Sequence, residues 1–351
     1  MNSLLRLLLK RKLKPSRVNP KAGGFTLIEL LVAIIMAALV IGPLLGFAIN
    51  ILSTDRQEQA KANSEQEIQT ALDYIAADLE QAFYIYDGYG LRDQNIADQL
   101  PSVDGGVPVL VFWKREKVKD ALHFNQSQLC NSGDASNDCN DVFPYSLVAY
   151  YLIQDDNPTW SQAARIARFQ IRDGIKNPTV PTTGTFPNIK TNYLLDTDTV
   201  QGQADPGFQI FNLKAQVSDL DVSPIEARMN AWERSGAYNF TETPVMPLVD
   251  YIDQSTQDTP TPVDCRKTLL GSEKSPPEDP KRTKERMLTN SSPINSFYAC
   301  VNSSTNEAFI YMRGNAQMRL SNPDNAQYNE NSTFFPSATI RVKGRGFLGV
   351  E

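Results

Sequence analysis

Glu29 is the only charged residue between Phe25 and Leu52, a span of 28 residues. A carboxylate at the centre of a bilayer costs ~2.5–3.5 kcal/mol, and such charges usually have a partner or a task. A Gly-Phe junction, Gly24-Phe25, lies just before it. Two readings of the first 24 residues follow. One is a cytoplasmic tail kept on a single-pass protein; the sharper one is a leader peptide removed just before Phe25.

Other residues could do chemistry. Cys130, Cys139, Cys265 and Cys300 are an even set, which in an oxidising compartment suggests two disulfides. Three pairings are open, and Cys130–Cys139 with Cys265–Cys300 is the preferred one. No C-x-x-C pair occurs and His123 is the sole histidine, which argues against a structural zinc site. G-x-S-x-G, Walker and H-E-x-x-H motifs are all absent from the sequence, and no enzyme class is indicated. Asp196-Thr197-Asp198 could seed a calcium loop, but Gly and Glu are missing at the EF-hand offsets. No metal or cofactor is expected. The aromatic run Phe83–Tyr89 could bind sugar, although packing at a helix–sheet junction is the favoured reading.

The element that must position Glu29 is an apolar helix. At ~1.5 Å per residue, Phe25–Leu52 is roughly 42 Å long, enough to span a bilayer with tilt. Gly42-Pro43 interrupts it; proline loses its amide hydrogen bond to Leu39, so a kink or loosened turn is expected at Leu39–Pro43. Residues 53–83 contain neither Gly nor Pro. Ile68, Leu72, Ile75, Leu79 and Phe83 form a helical apolar stripe. A continuous helix Phe25–Phe83 is expected, ending at Tyr86-Asp87-Gly88. Its stripe needs a cover, and an antiparallel sheet from the rest of the chain supplies one, giving an α+β fold.

Five to seven strands are expected beyond Gly88. The candidates are Val107–Trp113, Ser146–Ile153 (apolar on both faces, hence central), Ala164–Ile171, Phe208–Val217, Ala308–Met312 and Ser337–Val342. Residues 126–141, 173–207 and 254–293 read as loops, the first closed by Cys130 and Cys139. The domain scheme is therefore 1–24 leader, 25–52 membrane half of the helix, 53–87 amphipathic half, and 88–351 head.

Charge is divided along the chain. Residues 1–24 hold seven basic side chains and no acid, and taking these from the net −6 leaves −13. The basic leader before an apolar helix places the leader in the cytoplasm and the remainder outside. An acidic outer part argues against nucleic acid as partner.

Gly24-Phe25-Thr26-Leu27-Ile28-Glu29-Leu30 resembles the class III signal of type IV prepilins and type II secretion pseudopilins. The resemblance implies cleavage after Gly24 by a prepilin peptidase, N-methylation of Phe25, and pairing of Glu29 with the Phe25 amine of a neighbouring subunit. A partnered charge escapes most of the burial penalty. It further implies other pseudopilins and an inner-membrane assembly platform as partners, with the head periplasmic or on an extracellular fibre. Tyr74–Ala82 is similar to J-type minor pseudopilins. Tyr311–Leu320, Phe334–Ala338, Val342–Gly346 and Ile51–Ala71 are similar to cyanobacterial pseudopilins assigned to hormogonium polysaccharide secretion. That likeness alone implies polysaccharide as cargo. The expected role is a minor pseudopilin; the alternative is a minor type IV pilin with an adhesin-like head.

Overall fold

A computed structural model describes residues 24–94, 96–123, 129–130, 139–176, 202–217, 222–271, 284–290, 292–320 and 326–346. The chain divides into two compact units, Met1–Asp55 and Arg56–Glu351. The fold is α+β.

Helix α1 spans Leu27–Glu80 and runs without interruption through Gly42 and Pro43. In the first unit, every described residue is exposed. Nothing lies within 4 Å of an added Cβ at Gly24, Gly42 or Gly46. This is a helix apolar around its whole circumference, the composition of a segment that crosses a membrane.

The second unit is the head. Its five-stranded sheet contains β1 (Ala82–Ile85), β2 (Gly106–Arg115), β5 (Tyr145–Ile153), β6 (Ala164–Arg172) and β7 (Met246–Ile252), in that spatial order and all antiparallel. A hairpin, β3 (Val118–His123) with β4 (Cys139–Val142), stands apart. A three-stranded sheet has the order β10 (Ser337–Lys343), β9 (Glu307–Arg313), β8 (Phe297–Asn302).

Strand β5 is the middle of its sheet and shows why it reads as apolar on both faces. Val148, Tyr150 and Leu152 enter a core shared with Ile68, Leu72, Ile75 and Leu79 of α1 and with Phe297, Ala299 and Ile310 of the smaller sheet. The alternate residues Leu147, Ala149, Tyr151 and Ile153 enter a second core on the far face. Period-two alternation sends neighbours to opposite sides.

Several expectations need correction. The helix stops at Glu80, short of Phe83, because Ala82 already pairs with Lys114 of β2. The C-terminal tail caps that end: Arg345 N–H donates to Glu80 O (3.0 Å) and Gly346 N–H to Ala82 O (3.1 Å). Residues 208–217 form no strand; Phe208 and Phe211 are instead buried against Trp113 from irregular backbone. Ten strands occur among the described residues, more than expected. Strand β7 was concealed by Pro247, which is tolerated because β7 is an edge strand. The 254–293 segment contains a helix, Cys265–Leu270, with Asp264 as N-cap and Gly271 (φ 73°) ending it. Glycine adopts that left-handed conformation without a Cβ penalty. Most of 126–141 and 173–207, including Asp196 and Asp198, lies outside the described residues.

Candidate functional site

Two sites bear on function, one in each unit. At the start of α1, Leu30 N–H donates to Thr26 O (3.1 Å), the first bond of the helix. Glu29 N–H donates to Thr26 Oγ1 at 3.3 Å. Thr26 therefore acts as N-cap and Glu29 is its third helical residue, the Thr-x-x-Glu spacing of a capping box. A carboxylate in the first turn is also favoured by the helix dipole. Glu29 stands exposed at the helix mouth, close in sequence to Phe25, itself exposed. Leu27, Ile28, Leu30 and Leu31 are exposed as well.

In the head, α1 is held by polar groups that periodicity alone does not announce. Asp78 is buried and accepts three hydrogen bonds: from Lys114 Nζ (2.7 Å) on β2, Tyr150 Oη (2.8 Å) on β5 and Arg168 Nε (2.7 Å) on β6. Burial alone would raise its pKa; the Arg168 hydrogen bond and charge, with Lys114, outweigh that and hold the carboxyl below its ordinary value. Near the other end of the stripe, Arg319 donates from Nε to Ser64 Oγ (2.9 Å), ion-pairs with Glu67, and lies 4.0 Å from the Tyr251 ring centroid. Gly314 admits Ile68, whose Cδ1 would stand 2.5 Å from a Cβ at that position. The signal that could have revealed Asp78 was an acid three residues after Ile75 and next to Leu79, inside the apolar stripe.

A second buried pair supports the same region. Arg313 Nε donates to Asp253 Oδ2 (2.8 Å), and both side chains are buried. Ser255 and Asn315 complete the Asp253 shell. Arg313 and Asn315 belong to the Tyr311–Leu320 segment, and Gly344–Gly346 to the Val342–Gly346 segment. Both stretches have a structural job here: one orders the end of β9, the other caps α1.

The remaining sequence candidates fall out as follows. Cys130 bonds to Cys139, and Cys265 to Cys300. The second bridge ties the Cys265–Leu270 helix to β8 and is fully buried. His123 lies in β3, its backbone opposite Cys139. Phe83, Tyr84 and Tyr86 are buried core residues; Tyr86 Oη donates to Met229 O (2.9 Å) and accepts from Trp113 Nε1 (3.1 Å). No cluster of three or more His, Cys, Asp or Glu able to hold a metal occurs among the described residues. Asp87, close to the aromatic run, is pushed up to about 6 by burial, against a hydrogen bond from Gly90 N–H (2.9 Å) and the charge of Arg286.

A family model described as the prokaryotic N-terminal methylation motif matches residues 19–45. The chain carries that methylation motif. The matched segment contains Gly24, Phe25, Glu29, Gly42 and Pro43, and it supports a type IV pilin-like protein. Neither a curated protein nor a solved structure matches the chain. The matched segment includes the start of α1, with Thr26 and Glu29 at its first turn.

Proposed function

We propose that this protein is a minor pseudopilin, a structural subunit of a short fibre built by a machine of the type II secretion and type IV pilus kind. A prepilin peptidase of the inner membrane cuts between Gly24 and Phe25 and methylates the new amine. The apolar half of α1 holds the subunit in the inner membrane, with the head periplasmic, until an assembly platform moves it into the fibre. There Glu29 meets the Phe25 amine of a neighbour.

The carrying observation is the methylation motif at the mouth of a helix whose apolar surface no part of its own unit covers. An apolar surface of that extent needs lipid or neighbouring helices. The large head favours a minor subunit over one repeated at every step. Polysaccharide as cargo is supported by the likeness of Tyr311–Leu320 and Val342–Gly346 to the HpsC-type hormogonium pseudopilin.

Deletion of the protein in its host tests both levels. Loss of exported polysaccharide and of gliding is the expected result. Normal export and motility would refute the cargo assignment. Recovery of the protein on sheared surface fibres, with export intact, would favour an adhesive pilin.

A further inference from the structure

In the two larger sheets, the outer edges of β1, β7 and β8 are guarded and that of β10 is not. Strand β7 carries Pro247, shifts register against β6 and has Tyr251 at φ 58°; near its end Tyr251 O accepts from Asn315 N–H (2.7 Å). Strand β1 is four residues long, and Gly346 N–H and Asn306 Nδ2 occupy Ala82 O. Strand β8 is covered by residues 288–289: Leu288 bridges to Cys300 and Thr289 N–H donates to Ala299 O (3.0 Å). Proline, irregular register, short length and covering segments are the ordinary ways of blunting an edge. Strand β10 has none of them. Its seven residues pair with β9 without a shift, and among the described residues no backbone pairs with its outer side. The flanking bonds are Gly314 N–H to Pro336 O (2.9 Å) and Gly344 N–H to Asn306 O (2.8 Å). Antiparallel alternation then turns the backbone of Ala338, Ile340 and Val342 toward β9, and that of Ser337, Thr339, Arg341 and Lys343 away from it. Arg341 does not fence this edge. It lies over the sheet, donating to Glu307 Oε1 (2.6 Å), Thr268 O (3.2 Å) and Leu269 O (3.1 Å).

We propose that β10 is a docking edge, to which an extended segment of a different polypeptide chain adds as a further strand of the three-stranded sheet. An added strand answers the outward N–H and C=O groups of Ser337, Thr339, Arg341 and Lys343. The edge also specifies its side chains. On the inner face Ala338 and Ile340 are half-buried against the α1 core, so the residues that cover them are apolar. On the outer face Ser337, Thr339 and Lys343 are exposed, so the residues there are polar, with an acid opposite Lys343. A second β10 does not fit. Antiparallel pairing in one continuous sheet has a two-fold axis normal to the sheet. Ile68, Leu72, Ile75 and Leu79 all enter the core beneath that sheet, so α1 lies along it, and the axis would turn the two copies of α1 in opposite directions. Chains anchored through α1 in one membrane cannot meet that way. Parallel pairing about an axis along the strand sets the partner's polar face beside Ala338 and Ile340. The other edges of a second copy are guarded. The occupant is therefore a different chain; that it is a neighbouring subunit of the fibre rests on the pseudopilin reading.

The test is photo-cross-linking of the full chain in its host cells. A benzophenone side chain takes the place of Ser337, and cross-linked peptides are located by mass spectrometry. The expected adduct lies on a segment of a different chain that alternates apolar and polar residues and carries an acid. Thr339→Pro removes an outward N–H and no bond to β9, so the head's unfolding curve should stay in place while the adduct is lost. Thr339→Val keeps that N–H and should keep the adduct. Lys343→Glu should weaken it, and decides the test if proline perturbs the fold. Absence of an adduct, or an adduct to a second copy, overturns the proposal. So does an adduct that survives Thr339→Pro in a folded head, or one that Lys343→Glu leaves unchanged. An adduct on such a segment of a protein that lacks a methylation motif keeps the docking edge and counts against the pseudopilin reading, so the two failures are distinguishable.

Discussion

Leu27–Leu52 and Ala60–Leu79 belong to one helix, yet among the described residues only the second has buried side chains. Each segment carries an acid in apolar surroundings. Asp78 is answered internally by Lys114, Tyr150 and Arg168. Glu29 donates its backbone N–H to Thr26 Oγ1, and its side chain stands exposed. The difference separates what the fold completes for itself from what it leaves for other molecules. Burial of the second segment is a folding interaction; on the proposed function, coverage of the first is an assembly interaction.

Substitutions in the two segments should therefore fail in different assays. The largest effect is expected for Glu29→Ala, which should leave cleavage intact, leave the head's unfolding curve unchanged and abolish incorporation into fibres. Normal assembly of that variant would break the comparison. Leu72→Ala should destabilise the head by about 2–5 kcal/mol in denaturant unfolding. Leu39→Ala, exposed on the other segment, should leave that curve where it was. Equal effects from the two would mean that the units are not independent. At the C-terminal end of α1, Gly344→Ala should cost about 1–3 kcal/mol. A Cβ there would approach Asn306 Nδ2 to 2.1 Å and Ala82 O to 2.4 Å. A smaller effect should come from Asp87. Its folded pKa of about 6 lies above the ordinary 3.8, so the folded state binds the proton more tightly. The associated stability is present at low pH and lost as pH rises through about 6. Asp87→Asn should flatten that part of the pH–stability profile; an unchanged slope would locate the titration elsewhere.

The sequence made the first segment legible because its information is local. Gly24-Phe25 and Glu29 lie within six residues, and a run of apolar residues needs no partner to be recognised. The stripe Ile68–Leu79 and the strands β2, β5, β6, β9 and β10 were visible through periodicity alone. What stayed hidden depends on distant residues. The helix ends at Glu80 because Arg345 and Gly346 meet it there. Strand β7 contains Pro247, acceptable only at a sheet edge whose position the sequence does not announce. Phe208 and Phe211 have the composition of a strand but serve as anchors beneath irregular backbone. Asp78 carried a readable sign, a charge within an apolar stripe. It is the same anomaly that marks Glu29, yet at Asp78 the answering cations come from two different strands.

The N-terminus of the protein isolated from cells tests the central claim most directly. Mass spectrometry should find a chain beginning at Phe25 with a methylated amine. A mature chain that still carries residues 1–24 would contradict the account, because Phe25 would then have no free amine for a neighbour's Glu29 to meet.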